Sequence, residues 1–124
     1  EAEFQRAAFS DDARLDAGLD PARDNFDFVD WDPVPVNSSR PGRLGASQLV
    51  GNGWEWPSSV FEPFPGFEPF SFYAGYSANF FDGRHYVMKG ASPRTAAKLV
   101  RPSFRNWFRG SYPYAYATFR VAEN

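Results

Sequence analysis

Ser103-Phe104-Arg105-Asn106-Trp107 is the stretch that decides the reading of this chain. It follows Val87-Met88-Lys89-Gly90-Ala91-Ser92 and precedes Ala117-Thr118-Phe119-Arg120, while Gly51-Asn52-Gly53-Trp54-Glu55-Trp56 lies further upstream. Long stretches rich in Pro, Gly and Phe separate these short segments. Such spacing favours a loop-rich domain in which a few brief strands fix the geometry.

Composition points the same way. The 124 residues include 14 Phe, 6 Tyr and 4 Trp, but only five Leu, eight Val and no Ile, while 10 Gly and 11 Pro interrupt the chain. Long β-branched strands and leucine-faced helices are therefore poorly supported. An aromatic core is the better expectation, because each ring carries a large apolar area and Tyr or Trp also satisfies a polar contact at the core's edge. The length suits one α+β domain.

Charge excludes some partners. The formal net charge is −2, which provides no general field for nucleic acid or an anionic membrane. Most acids precede Asp32, whereas the stretch from Arg84 to Arg120 is basic, so a local anion-binding surface belongs to the C-terminal third. No run approaches the roughly 20 apolar residues of a membrane span. A soluble, cytoplasmic protein is the expectation. With Cys absent, disulfides, thiolate metal sites and cysteine nucleophiles are excluded.

Along the chain, residues 2 to 9 form a helix-compatible run with Phe4 and Ala8 on one face, ended or capped by Ser10 and the acids after it. A structured loop follows from Asp11 to Ser47, extended at Asp32-Pro33-Val34-Pro35-Val36 and anchored by Phe26, Phe28 and Trp31. A short strand runs through Trp54 and Trp56 on one face, and Pro57 confines it to an edge or an end. Phe-Glu-Pro-Phe occurs at 61 to 64 and again at 67 to 70, too short a repeat for a solenoid. Strands are expected at 85 to 89 and at 115 to 121, where Tyr114, Tyr116, Thr118 and Arg120 alternate with smaller or apolar residues.

His85 is the only histidine, so this chain by itself supplies neither the two-His-one-carboxylate set of a non-haem iron site nor a three-ligand catalytic zinc site. His85 reads as a turn residue after Asp82-Gly83. Nucleotide-binding loops and hydrolytic triads are not apparent.

The four quoted segments resemble the formylglycine-generating-enzyme-like (sulfatase-modifying-factor) domain, and Glu1-Ala2-Glu3-Phe4-Gln5-Arg6-Ala7-Ala8 resembles that family's "TEAEWEyAA" helix. The resemblance covers nearly the whole chain. It implies an irregular C-type-lectin-like fold and a partial domain over residues 1–124, the C-terminal part of a longer protein. Within the family, Phe80-Phe81-Asp82-Gly83, His85-Tyr86-Val87, Gly90-Ala91-Ser92 and Ser103 to Trp107 leading to Tyr112-Pro113-Tyr114 look most like the C-terminal domain of ergothioneine-biosynthesis sulfoxide synthases. The missing cysteine pair argues against formylglycine generation.

The resemblance implies further roles. An upstream helical domain holds Fe(II) with three His, and this half contributes contacts to histidine betaine, a thiol and oxygen; no iron ligand is expected here. Trp107 matches a Trp beside the betaine, where a cation–π contact is worth about 0.5–2 kcal/mol; the alternative is an ordinary core Trp. Asn106 and Arg105 orient it or touch substrate, although Arg105 equally suits a structural pair with a carboxylate. Tyr76 is the expected proton donor, with Tyr73 in reserve. Phe108 stands where enzymes using γ-glutamylcysteine have Asp, and a phenyl ring accepts no hydrogen bond from an amine, so another thiol such as cysteine is implied. Arg109 or Arg94 suits a substrate carboxylate. Pro93-Arg94 departs from the family's Trp-Ala.

Gln48, Gly51, Gly53 and Glu55 match a calcium-wrapping segment of formylglycine-generating enzymes, a role suited to an oxygen-seeking ion. The other reading is a glycine turn with Glu55 paired to an arginine. The alternative to an enzyme is a non-catalytic C-type-lectin-like ligand-binding module.

Overall fold

The computed structural model describes residues 1–9, 19–38, 45–73 and 75–121. The expected cap at Ser10 and the acids that follow lies outside the described residues. Among the described residues, two helices, α1 (Ala2–Phe9) and α2 (Pro21–Asp24), accompany four strands: β1 (Gly53–Glu55), β2 (His85–Ala91), β3 (Asn106–Arg109) and β4 (Ala117–Thr118). Single 3₁₀ turns occupy Ala78–Phe80 and Ala97–Leu99. The architecture is α+β.

The strands form one mixed sheet of order β3-β2-β1-β4. β2 is its centre. It runs antiparallel to β1 through Gly53↔Ala91, Trp54↔Gly90 and Glu55↔Lys89, and antiparallel to β3 through pairs from His85↔Arg109 to Met88↔Asn106. β4 lies parallel to β1, with Trp54 opposite Ala117. Val87, Met88 and Ala91 are fully buried, and since successive strand side chains point to opposite faces, β2 is covered on both.

β1 ends at Glu55, two residues before Pro57. Past the proline the chain returns to β2 through Phe61 N donating to His85 O at 2.8 Å and Val87 N donating to Ser59 O at 3.0 Å. Phe61 is thereby delivered to the edge of β2 opposite β3. This detour builds the aromatic cluster described below.

α1 follows the expected bounds. α2 was not anticipated within the loop; Asp20 caps it by accepting from Ala22 N at 3.0 Å, and Pro21 fits the first helical turn because its missing N–H would have no helical partner. β2 extends two residues past the expected strand, whereas the 115–121 strand contracts to Ala117–Thr118. Its alternation misleads because both sets of side chains meet solvent: Tyr114 is 82% and Phe119 79% exposed. β1 stops at Glu55, leaving Trp56 beyond the strand and half-buried. Of the three expected loop anchors, Phe26 is buried, but Phe28 and Trp31 are exposed and tilt against each other at 5.9 Å.

Asn52 ties the long loop to this sheet. Its carbonyl oxygen accepts from Asn25 Nδ2 at 2.8 Å and Val34 N at 2.7 Å, and its amide nitrogen donates to Val34 O at 2.8 Å and Gln48 Oε1 at 2.7 Å. One buried amide thus pairs with both backbone groups of Val34, as a strand neighbour would. Gly51 is required beside it, since a Cβ there would stand 1.5 Å from Asp24 O.

Candidate functional site

Trp107 sits second in β3, opposite Val87. Its indole stacks on Phe61 with ring centroids 4.4 Å apart and planes 10° from parallel. Phe80 tilts against it at 5.5 Å, and Tyr76 meets it edge-to-face at 6.4 Å. Phe61 is fixed from behind by Phe81 at 4.9 Å, and Phe67 in turn meets Phe81 at 5.3 Å. The result is a group of rings with a buried floor at Phe61 and an open rim at Tyr76, which is 56% exposed. Clustered π-faces attract a cation, especially one whose methyl groups replace a hydration shell.

The two tyrosine candidates are not equivalent. Tyr76 touches Trp107 directly, while Tyr73 reaches the group through Tyr76 at 5.7 Å. Phe61 and Phe80, absent from the sequence-derived site, supply its floor and one further ring. Their signal in the sequence is the Phe density of residues 61–82.

Polar groups border the rings. Asp82 Oδ1 accepts from Arg84 N at 2.9 Å and His85 N at 3.2 Å, and stands 2.9 Å from His85 Nδ1. The His85 contact first, and then the Arg84 amide, lower the Asp82 pKa to about 2. His85, expected only as a turn residue, opens β2 and meets Phe80 edge-to-face at 5.1 Å. Arg109 Nη2 approaches Asp82 Oδ2 to 3.9 Å, and the Arg109 side chain is more than half exposed.

Other expected residues are held elsewhere. Arg105 takes the structural arrangement: Nη2 donates to Glu1 Oε2 at 3.1 Å and Nη1 to Glu62 O at 3.0 Å, with Phe61 and Phe64 rings 5.0 and 4.3 Å from the guanidinium carbon. Its Nε also lies 3.1 Å from Glu1 Oε1, close enough for charge attraction but outside hydrogen-bond geometry. Asn106 turns its carbonyl oxygen back to Trp107 N at 2.9 Å. Phe108 stacks on Tyr112 at 4.3 Å and 9°, a cluster separate from Trp107 as strand alternation requires. Arg94 lies over Trp31 and Tyr116 and donates to Trp31 O at 3.0 Å.

Behind β3, the Lys89 side chain is 2% exposed, and its Nζ donates to Pro102 O at 2.8 Å and Phe104 O at 3.0 Å. Burial lowers its pKa, partly countered by Glu1, while nearby Arg105 lowers it further. The ammonium takes up carbonyls just beyond the last β2–β3 pair and so fixes the approach to Trp107. Among the described residues, no three His, Cys, Asp or Glu side chains gather where they can hold a metal ion. No helix among them is long and apolar enough to cross a membrane.

The sulfatase-modifying factor enzyme 1-like domain family matches residues 3–124. Ergothioneine biosynthesis protein 1 of Neurospora crassa is 41% identical over 101 residues, covering 81% of this chain and 11% of the relative. Hercynine oxygenase of Mycolicibacterium thermoresistibile is 41% identical over 96 residues, covering 73% of this chain and 21% of the relative. Ergothioneine biosynthesis protein 1 of Schizosaccharomyces pombe is 40% identical over 80 residues, covering 64% and 10%. The chain spans 10 to 21% of the length of these curated relatives. With nearly every residue inside the match, the chain belongs to the sulfatase-modifying factor enzyme 1-like domain family.

Proposed function

We propose that this chain is the substrate-binding C-terminal part of an oxygen-dependent, non-haem iron sulfoxide synthase of ergothioneine biosynthesis. The observation that carries the reading is the ring group of Trp107, Phe61, Phe80 and Tyr76, in a chain whose relatives are named for ergothioneine biosynthesis and hercynine oxygenation. A trimethylammonium group suits these rings because it has no N–H to satisfy and gains from the π-faces.

The reaction joins a thiol sulfur to an imidazole carbon of histidine betaine. S–H and C–H bonds are lost, C–S and S–O bonds form, and dioxygen accepts four electrons, leaving its second oxygen as water. In this reading iron would supply the oxygen chemistry and would be held by an upstream helical domain. The role of this chain is to bind the betaine at Trp107 and exclude water with the Phe61 and Phe80 rings. Tyr76 places a hydroxyl at the exposed rim, where it donates a proton to substrate. Arg109, on the Trp107 side of β3, offers a guanidinium to a substrate carboxylate, while Phe108 lies on the other face and favours cysteine over γ-glutamylcysteine only through the family resemblance.

A cytoplasmic setting and a C-type-lectin-like scaffold belong to the same reading. Titration of the full-length protein with histidine betaine, followed by oxygen consumption with betaine and cysteine together, tests it. Betaine binding with coupled oxygen uptake supports the synthase, whereas binding without uptake favours a ligand-binding module.

A further inference from the structure

The 47–55 segment has the oxygen-rich make-up that its family resemblance associates with calcium, but its geometry does not fit that ion. Arg120 Nε donates to Glu55 Oε1 at 2.6 Å, and Nη2 donates to Ser47 O at 2.9 Å and lies 3.5 Å from Gln48 O. Glu55 is the segment's only carboxylate, and its side chain is 6% exposed. Of the amide oxygens, Gln48 Oε1 accepts from Asn52 Nδ2 at 2.7 Å, and Asn52 Oδ1 accepts from Asn25 Nδ2 at 2.8 Å and Val34 N at 2.7 Å. Carboxylate and carbonyl oxygens that would surround a hard cation are thus already gathered by a guanidinium. Gln48, Gly51, Gly53 and Glu55 do come together, around a cavity of about 170 Å³, and Arg120 forms part of its wall.

The sheet explains how Arg120 gets there. Glu55 pairs with Thr118 in the parallel β1–β4 ladder, and Arg120 lies two residues further on, the period that returns a side chain to the same face. Trp56 N donates to Thr118 O at 3.0 Å, keeping the two chains together past the strand ends. A carboxylate buried this deeply requires a cationic partner. The planar fork of arginine can contact several oxygens at once, unlike the point charge of lysine.

We infer that Arg120 is an internal replacement for a bound cation: it neutralises Glu55, gathers the Ser47 and Gln48 carbonyls, and makes this loop independent of calcium. The loop then stays closed whatever the calcium concentration, and β4 is joined to β1 by a charge as well as by its short ladder. This inference concerns loop closure and is independent of whether the aromatic site binds histidine betaine.

Thermal unfolding of the full-length protein in chelator and in millimolar calcium tests the inference. The wild type should give the same midpoint in both, and isothermal titration with calcium should show no heat dependent on Glu55. In chelator, Arg120→Gln should lower the midpoint by on the order of 5–10 °C, with Arg120→Lys recovering only part of the loss. A calcium-induced rise in the wild-type midpoint that Glu55→Gln abolishes would overturn the inference. So would an Arg120→Gln midpoint equal to wild type in chelator. If Arg120→Gln does not fold, the Arg120→Lys comparison and the wild-type calcium titration still decide the matter.

Discussion

Phe61 lies flat against Trp107, 4.4 Å away and 10° from parallel, although the two residues reach β2 from opposite edges. The contact covers one face of the indole. Phe61 is 3% exposed and also meets Phe81 and Arg105. Phe61→Ala should destabilise the protein by about 3–5 kcal/mol, and Phe61→Leu by less. Denaturant unfolding measures the loss, and the Leu variant should red-shift Trp emission as the indole gains water.

Asn52 should be equally intolerant of change. Asn52→Ala removes the partners of Asn25, Gln48 and both backbone groups of Val34 in one step, an expected loss of about 2–4 kcal/mol. Amide hydrogen exchange at Val34 should accelerate well beyond the change at Val87, which is bonded to Ser59 O.

The Lys89 ammonium holds the Pro102 and Phe104 carbonyls in a buried setting. Lys89→Met keeps much of the stem's volume but leaves those carbonyls without their donor, and should cost about 2–4 kcal/mol by denaturant unfolding. Histidine-betaine affinity should fall with it, since the segment that enters β3 loses its anchor.

Asp82 predicts an acid-limb effect. Its folded pKa is lowered from 3.8 to about 2, so its contribution is present above pH 3.8 and is lost as pH falls through about 2. Asp82→Asn should remove that part of the slope between those two values while also lowering stability at neutral pH. Urea midpoints measured across the interval check the sign. An unchanged slope would mean that the Asp82–His85 contact does not form in solution.

Sequence periodicity made α1 and the core of β2 legible, because both carry local patterns that survive in the fold. β3 was hidden: Asn106 to Arg109 mixes amide, aromatic and cation with no clear alternation, and its pairing with β2 alone makes it a strand. The parallel β1–β4 pair was equally invisible, since two residues of ladder leave almost no pattern. Of the ring group, Trp107 and Tyr76 are singled out in the sequence by family likeness, and the structure places their rings 6.4 Å apart. Phe61 and Phe80 emerged only when Pro57 turned the chain and the 3₁₀ turn at Ala78–Phe80 placed its last ring. Arg105 showed why residue type alone is insufficient, because the carboxylate that fixes it lies 104 positions away at Glu1.

The central claim is that Trp107 binds the quaternary ammonium of histidine betaine, and calorimetric titration of full-length wild type and Trp107→Ala tests it most directly. Loss of a cation–π contact worth about 0.5–2 kcal/mol should weaken betaine binding by roughly 2- to 30-fold. Cysteine affinity, measured separately, should stay near wild type. Equal weakening for both ligands, or unchanged betaine affinity in a folded variant, would contradict the claim and leave Trp107 as a core residue.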